Sequence, residues 1–275
     1  MGIVLSLLAA IAYGLSDFIG GLASRRTSPW PVALLADLGA LLGALVLAVA
    51  ITGQPTQSDL LWGSLAGAGG GIGGAFLYRG MSTGRMGVVG PVSAVGSAVV
   101  PVVAGLVGGE RPMPVVWLGI AVAFPGIWMV SREPGDSAGL ADGLVDGVLA
   151  GLGFGVLFAA MGQVPEGAGY WPLVAAQVLG LVAIVGVATA LRVRWVPRAR
   201  SELWGLPAGV LATVAVFAFL LATQTGLLTA SAVITSLYPA VTILLAAVIL
   251  NERVHRAQSL GLALCAGAVV LVALG

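Results

Sequence analysis

The sequence predicts an all-α polytopic membrane protein: ten transmembrane helices forming two inverted five-helix repeats. Three observations predict it. Of 275 residues, 59% are hydrophobic and only 8% charged, with a mean hydropathy of +1.08. A soluble domain carries about 25% charged residues, so soluble enzyme folds are excluded. Apolar runs of span length recur between Gly, Pro and Arg; at about 20 residues per helix, ten spans need about 200 residues and leave short loops. Finally, short matches repeat at a near-constant separation of 141 or 142 residues.

The first span is expected at 3–22. It lacks a basic flank and a small-residue cleavage site, so it reads as a retained helix, not a signal peptide. The second, 31–52, opens on Trp30-Pro31; the third, 60–79, is dense in glycine; the fourth, 87–108, ends on Gly109-Glu110-Arg111; the fifth is 114–131. Beyond the polar stretch Arg132–Asp142, the spans 143–161, 172–191, 204–224, 230–250 and 257–274 follow, with no soluble domain expected at either end. Helices are required because lipid offers no partner for free backbone N–H and C=O groups. Trp30, Trp62, Trp117, Trp128, Trp171, Trp195 and Trp204 fall near span ends, as an interfacial belt does. Trp117 and Trp128 lie a few residues inside theirs.

All 12 basic residues are arginines. Eleven fall in the loops after spans one, three, five, seven and nine: Arg25, Arg26, Arg79, Arg85, Arg132, Arg192, Arg194, Arg198, Arg200, Arg253 and Arg256. Only Arg111 lies opposite. The positive-inside rule makes the arginine-rich face cytoplasmic and puts both termini outside. A net charge of +1 gives no general attraction to nucleic acid. One cysteine, Cys265, and one histidine, His255, supply neither a disulfide nor a Cys/His metal cluster; no cofactor and no metal are expected. Gly69, Gly71 and Gly74 match GxGxxG, but no strand precedes them, so they carry no nucleotide reading. A catalytic cluster is not visible either, so no enzyme is expected.

The repeat is legible in pairs. Trp30-Pro31 recurs as Trp171-Pro172 and Tyr13-Gly14 as Phe154-Gly155, both at 141 residues. Leu61-Trp62-Gly63 recurs as Leu203-Trp204-Gly205, Thr83-Gly84 as Thr225-Gly226, Glu110-Arg111 as Glu252-Arg253, and Leu118-Gly119 as Leu260-Gly261, all at 142. Five spans per copy is odd, so the second copy enters the membrane upside down. The arginines agree: they follow spans one and three of the first copy but spans two and four of the second. Inverted repeats are an architecture of secondary transporters, with the substrate held near mid-membrane between the halves. An internal pseudo-twofold needs no partner subunit, so a monomer in a lipid bilayer is expected.

The 5+5 layout, Gly109-Glu110-Arg111 with its copy Asn251-Glu252-Arg253, Pro239 in the ninth span and the small residues of Gly226–Ser231 carry a resemblance. On them the chain resembles the drug/metabolite transporter superfamily, specifically proteins with two EamA-type domains: here 1–132 and 143–275, joined by a linker at 133–142. The resemblance implies export of amino acids, other metabolites or drugs. It also implies a central cavity lined by spans one, three, four, six, eight and nine, with five and ten packed outside. The first copy departs at Ser97, where the second has Pro239; its own prolines are Pro91 and Pro101.

Asp17 is the most informative side chain. A carboxylate in a span costs about 2.5–3.5 kcal/mol, and Tyr13, Ser16, Asp17 and Gly20 share one helix face. This stripe suits an anchor for a cationic group or a proton site; the alternative is an ion pair with Arg25 or Arg79. By the repeat, Phe158 stands opposite Asp17, and Val178 opposite Asp37. Asp37 reads as snorkelling or as paired with Arg25 or Arg26. Ser93 and Ser97 on the fourth span, and Thr235, Pro239 and Thr242 with Tyr238 on the ninth, offer hydroxyls and a carbonyl freed by proline. Ser231 belongs to the same ninth-span face. Tyr78, Phe154, Phe158, Thr223 and Gln224 would complete an amphipathic pocket. Gly63, Gly67 and Gly71 form a GxxxG face that permits close helix approach. Glu110 and Glu252 read as solvated or interhelical ion pairs at opposite membrane faces.

The function expected is a secondary transporter exporting small metabolites, amino acids or related amphipathic compounds, by alternating access across a bacterial inner membrane. If transport is proton-coupled, Asp17 is the carrier. The alternatives are a multidrug exporter of the same fold and a non-transporting scaffold or receptor.

Overall fold

The computed structural model describes residues 1–82, 86–131, 140–250 and 254–274. Arg85, Thr83-Gly84, Arg132, the segment 133–139 and Asn251-Glu252-Arg253 lie outside them. Eleven helices are present among the described residues, and no strand: α1 (Gly2–Ser24), α2 (Pro29–Ala50), α3 (Gln57–Ser82), α4 (Met86–Val107), α5 (Pro114–Ser131), α6 (Leu140–Met161), α7 (Trp171–Ala190), α8 (Gly205–Thr225), α9 (Leu228–Thr235), α10 (Tyr238–Ile249) and α11 (Arg256–Ala273). Eight stretches are long and apolar enough to cross a membrane, α9 and α10 counting together; Val92–Val107 and Pro114–Val130 are shorter apolar helices.

The ninth span, expected as one helix over 230–250, is two. Pro239 has no N–H to donate to Thr235, and its ring crowds the Thr235 carbonyl; α9 ends at Thr235. The chain then tightens, Leu237 N–H donating to Ile234 and Ala240 N–H to Leu237, and restarts with Pro239 in the first turn of α10. There a missing N–H costs nothing. Such a break survives at membrane depth only inside protein, and Thr235, Ser236, Leu237 and Tyr238 are all buried. With Ser97 in the corresponding place, α4 runs unbroken.

Helices pair mainly across the repeat boundary, and in matched sets. α1 packs on α8 as α6 packs on α3; α2 packs on α8 as α7 packs on α3; α1 packs on α9 and α10 as α6 packs on α4. α5 and α11 pack on each other, away from these contacts, as the resemblance implies. Two seams bring backbones together. Gly63, Gly67 and Gly71 of α3 lie on Pro172, Ala176 and Gly180 of α7, so a methyl at Gly67 would overlap the Ala176 carbonyl oxygen. Gly205 and Gly209 of α8 lie on Val32 and Ala36 of α2 in the same way.

Polar side chains hold the ends. Asp59 accepts from Thr56 N–H (2.8 Å) before α3, and Glu202 from Ala199 N–H (2.9 Å) before α8. Glu202 also accepts from the Arg194 guanidinium and the Thr27 hydroxyl, both at 2.8 Å. Glu110 makes an interhelical contact of a kind the sequence does not announce. Its carboxylate accepts from the N–H groups of Leu228 (2.6 Å) and Thr229 (3.0 Å) and from the Thr229 hydroxyl. A glutamate of the first half thereby caps the broken helix of the second, a favourable place for negative charge.

Candidate functional site

The polar stripe of α1 is turned into the protein, against α8 of the second half and α3 of the first. The Ser16 hydroxyl donates to the Ala208 carbonyl of α8 at 2.8 Å. Gly20 leaves room for the Tyr78 hydroxyl of α3, which any side chain at Gly20 would strike. Between them Asp17 is 6% exposed, and its carboxylate is within electrostatic reach of Tyr13, Tyr78 and Tyr238. Arg79 does not serve it. Its Nε donates to Asp146 of α6 at 2.8 Å, its terminal nitrogen binds the same oxygen, and its guanidinium lies 4.5 Å over the Phe76 ring.

Tyr13, Ser16, Asp17, Tyr78 and Phe154 converge on one cavity between the halves, together with Asp37 and Gln177. Its volume is about 90 Å³, room for about three waters at ~30 Å³ each, whereas small-molecule pockets run to about 300–1,000 Å³. Aromatic packing lies on both sides. Toward the arginine-rich face Trp30 meets Phe76 edge-on at 6.1 Å; toward the other, Phe158 meets Phe219 at 4.7 Å and Tyr13 at 5.6 Å.

The remaining candidates do not line this cavity. Phe158, Ser93, Ser97, Thr235, Tyr238 and Pro239 are buried behind it. Ser97 pairs with Ser236 (3.0 Å), Thr235 donates to the Ser6 carbonyl (3.5 Å), and Thr242 to the Gly14 carbonyl (3.3 Å). Gln224 and Thr223 line a separate hollow with Gln163 and Glu166, at the ends of α6 and α8. The walls also differ from those implied by resemblance: α1, α2, α3, α6, α7 and α8 line the cavity, and α4 and α9 do not. α4 and α9 are instead tied into the core by the buried hydroxyl contacts just described.

Asp37 corrects the sequence reading. It neither snorkels nor ends at the arginines. It lines the cavity, and its Oδ2 is buried against Gly180 with no hydrogen-bond partner. Its counterpart also changes. The seams pair Val32 and Ala36 with Pro172 and Ala176, a separation of 140, so Gln177 stands opposite Asp37; Val178 faces outward, 43% exposed. The one-residue slip hid Gln177 from the sequence comparison. Among the described residues, four buried side-chain atoms lack a hydrogen-bond partner: Tyr13 OH, Asp37 Oδ2, Ser93 Oγ and Tyr238 OH. Tyr13 and Asp37 share the cavity, and the Tyr13 and Tyr238 rings lie 6.2 Å apart. The Tyr238 and Ser93 hydroxyls are close enough to pair with each other.

The model of the EamA-like transporter family matches residues 1–132 and again 142–274. The chain belongs to this family. It is therefore a membrane transporter of the drug/metabolite type, built from two EamA repeats. A solved structure, titled only as the crystal structure of a protein, covers 99% of this chain over 96% of its own length, with TM-score 0.72 and 19% identity; that likeness speaks for the fold. Comparison with curated proteins finds no match.

Proposed function

We propose that this EamA-family transporter exports a small amphipathic metabolite carrying an amino group, such as an amino acid or a related amine, by alternating access. One observation carries the reading: two buried polar atoms without a hydrogen-bond partner, Tyr13 OH and Asp37 Oδ2, belong to residues that line the Asp17 cavity where the two halves meet. A buried polar group left unpaired costs about 1–3 kcal/mol. Such groups collected at one place fit a site that pairs them with cargo. Asp17 would take the amino group, and Tyr13, Phe154 and Tyr78 would supply walls with a polar edge. At about 90 Å³ the cavity is too small for such a cargo, so binding would need the halves to part. Separation at the arginine-rich face and then at the other would carry cargo across. Ser93 and Tyr238 would join the site on opening.

The arginine asymmetry supports a bacterial inner membrane with both termini outside. A multidrug exporter is the second reading, favoured by the aromatic walls and the absence of an arginine among the lining residues. The test is uptake from a mixed pool of amino acids, amines and cationic drugs into proteoliposomes, read by mass spectrometry against empty vesicles. Selective accumulation of amine-bearing metabolites supports the first reading, and broad accumulation of drugs the second. Loss of a pH response in Asp17→Asn would assign proton coupling to Asp17; a response surviving the change would remove that role.

A further inference from the structure

The seams fix which residues of the two halves are counterparts at the cavity. α8 lays Gly205 and Gly209 on Val32 and Ala36 of α2, and Thr213 donates to the Ala40 carbonyl at 2.9 Å. α3 lays Gly63, Gly67 and Gly71 on Pro172, Ala176 and Gly180 of α7. In this register Asp37 and Gln177 occupy mirrored places, and both line the cavity. Their side chains are both planar and polar, but one is a carboxyl that can carry charge and the other a neutral amide.

Gly180 of α7 lies against the Asp37 carboxyl, and the polar residues that line the cavity with it are Tyr13, Ser16 and Asp17 from α1, Tyr78 from α3 and Gln177 from α7. Among the described residues, no arginine or histidine lines the cavity. Two carboxyl groups therefore share a chamber with no counter-charge among the described lining residues, and one oxygen of Asp37 has no hydrogen-bond partner among them. A carboxylate in such surroundings is stable as an anion only when a cation meets it. A zwitterion would bring its own carboxylate into the same chamber, against like charge.

We infer that Asp37 and Gln177 set the charge preference of the cargo site. With Asp17, Asp37 selects an organic cation of net positive charge over a zwitterion of similar size, and Gln177 receives an uncharged polar group at the mirrored place. This rests on the cavity being the cargo site and narrows its cargo from amino-bearing metabolites to net cations.

The full chain in lipid nanodiscs is tested with two matched probes, n-butylammonium and the zwitterion 4-aminobutyrate, by calorimetric binding at neutral pH. The wild type binds the cation more tightly. Asp37→Asn reduces that preference by about tenfold or more, the equivalent of one charge-assisted hydrogen bond. The exchange Asp37→Asn with Gln177→Glu restores it, because the carboxylate returns at the mirrored position; a merely structural Asp37 would show no such rescue. An unchanged preference in Asp37→Asn, with loss of binding in Asp17→Asn, overturns the inference and leaves the cargo site standing. Wild type that binds neither probe, or binds both equally, overturns the inference. Binding of the cation that neither aspartate variant alters overturns both.

Discussion

The α2–α8 seam and the α3–α7 seam are one contact made twice, yet the walls they bring to the cavity differ in charge. At each seam glycines bring a helix backbone against its neighbour, at Gly209 on Ala36 and at Gly67 on Ala176. Beside the first stands Asp37, beside the second Gln177. On the inner helices Asp17 of α1 lines the cavity, while Phe158 of α6 is packed into the core. At the seams the backbone arrangement is thus symmetric and the chemistry is not. On the alternating-access proposal, such symmetry would let the two halves separate at either face with equivalent motions. The asymmetry puts both acidic side chains of the cavity, Asp17 and Asp37, on the first half.

The largest effect should come from attacking the shared contact. Gly67→Leu and Gly209→Leu each force a side chain into a carbonyl, and overpacking of this kind costs about 1–3 kcal/mol or more. Both should lose the monodisperse folded species in size-exclusion chromatography. If only one does, the seams are not equivalent. Gly186 of α7, with open space around its Cα, is the control: Gly186→Ala should be neutral or stabilising by about 0.5–1 kcal/mol.

The broken and unbroken helices offer the next comparison. Ser97→Pro should cost about 3 kcal/mol by breaking α4 where α9 and α10 already part, seen as a lower midpoint in thermal unfolding. Pro239→Ala should change the midpoint far less, because the flanking turns already close their own hydrogen bonds. Asp146→Asn follows. It removes the negative charge that meets the Arg79 guanidinium, leaving an amide oxygen in its place, and should cost about 1–2 kcal/mol. Smallest is Glu110→Ala, the loss of a helix cap across the halves, at about 1 kcal/mol.

Nearly all of the fold was legible in the sequence because its cause is one-dimensional. Lipid demands helices of span length, and arginine, proline and glycine mark their ends. The break between α9 and α10 was half legible. Pro239 announced a bend, but that the break would be buried depends on other helices, whose Ser6, Ser97 and Gly14 pair with the hydroxyls of Thr235, Ser236 and Thr242. The site was legible where a polar stripe lies on one helix face, hence Tyr13, Ser16 and Asp17. It was illegible where the register between helices decides. Gln177 looked like any polar residue until the seam placed it opposite Asp37. Asp37 itself lies near enough to Arg25 and Arg26 in sequence to pass for their partner. Asp146 gave no sign of holding Arg79, since their meeting depends on how α3 packs on α6.

The most direct test of the central claim, that cargo passes through the Asp17 cavity between the halves, is transport by two single variants side by side. Asp17→Asn removes the carboxylate from the cavity; Gln224→Ala alters the separate hollow at the ends of α6 and α8. In proteoliposomes holding equal amounts of folded protein, uptake of an amine-bearing cargo should fall about tenfold or more in Asp17→Asn and stay near wild type in Gln224→Ala. Undiminished uptake in Asp17→Asn, or a larger loss in Gln224→Ala, would contradict the account.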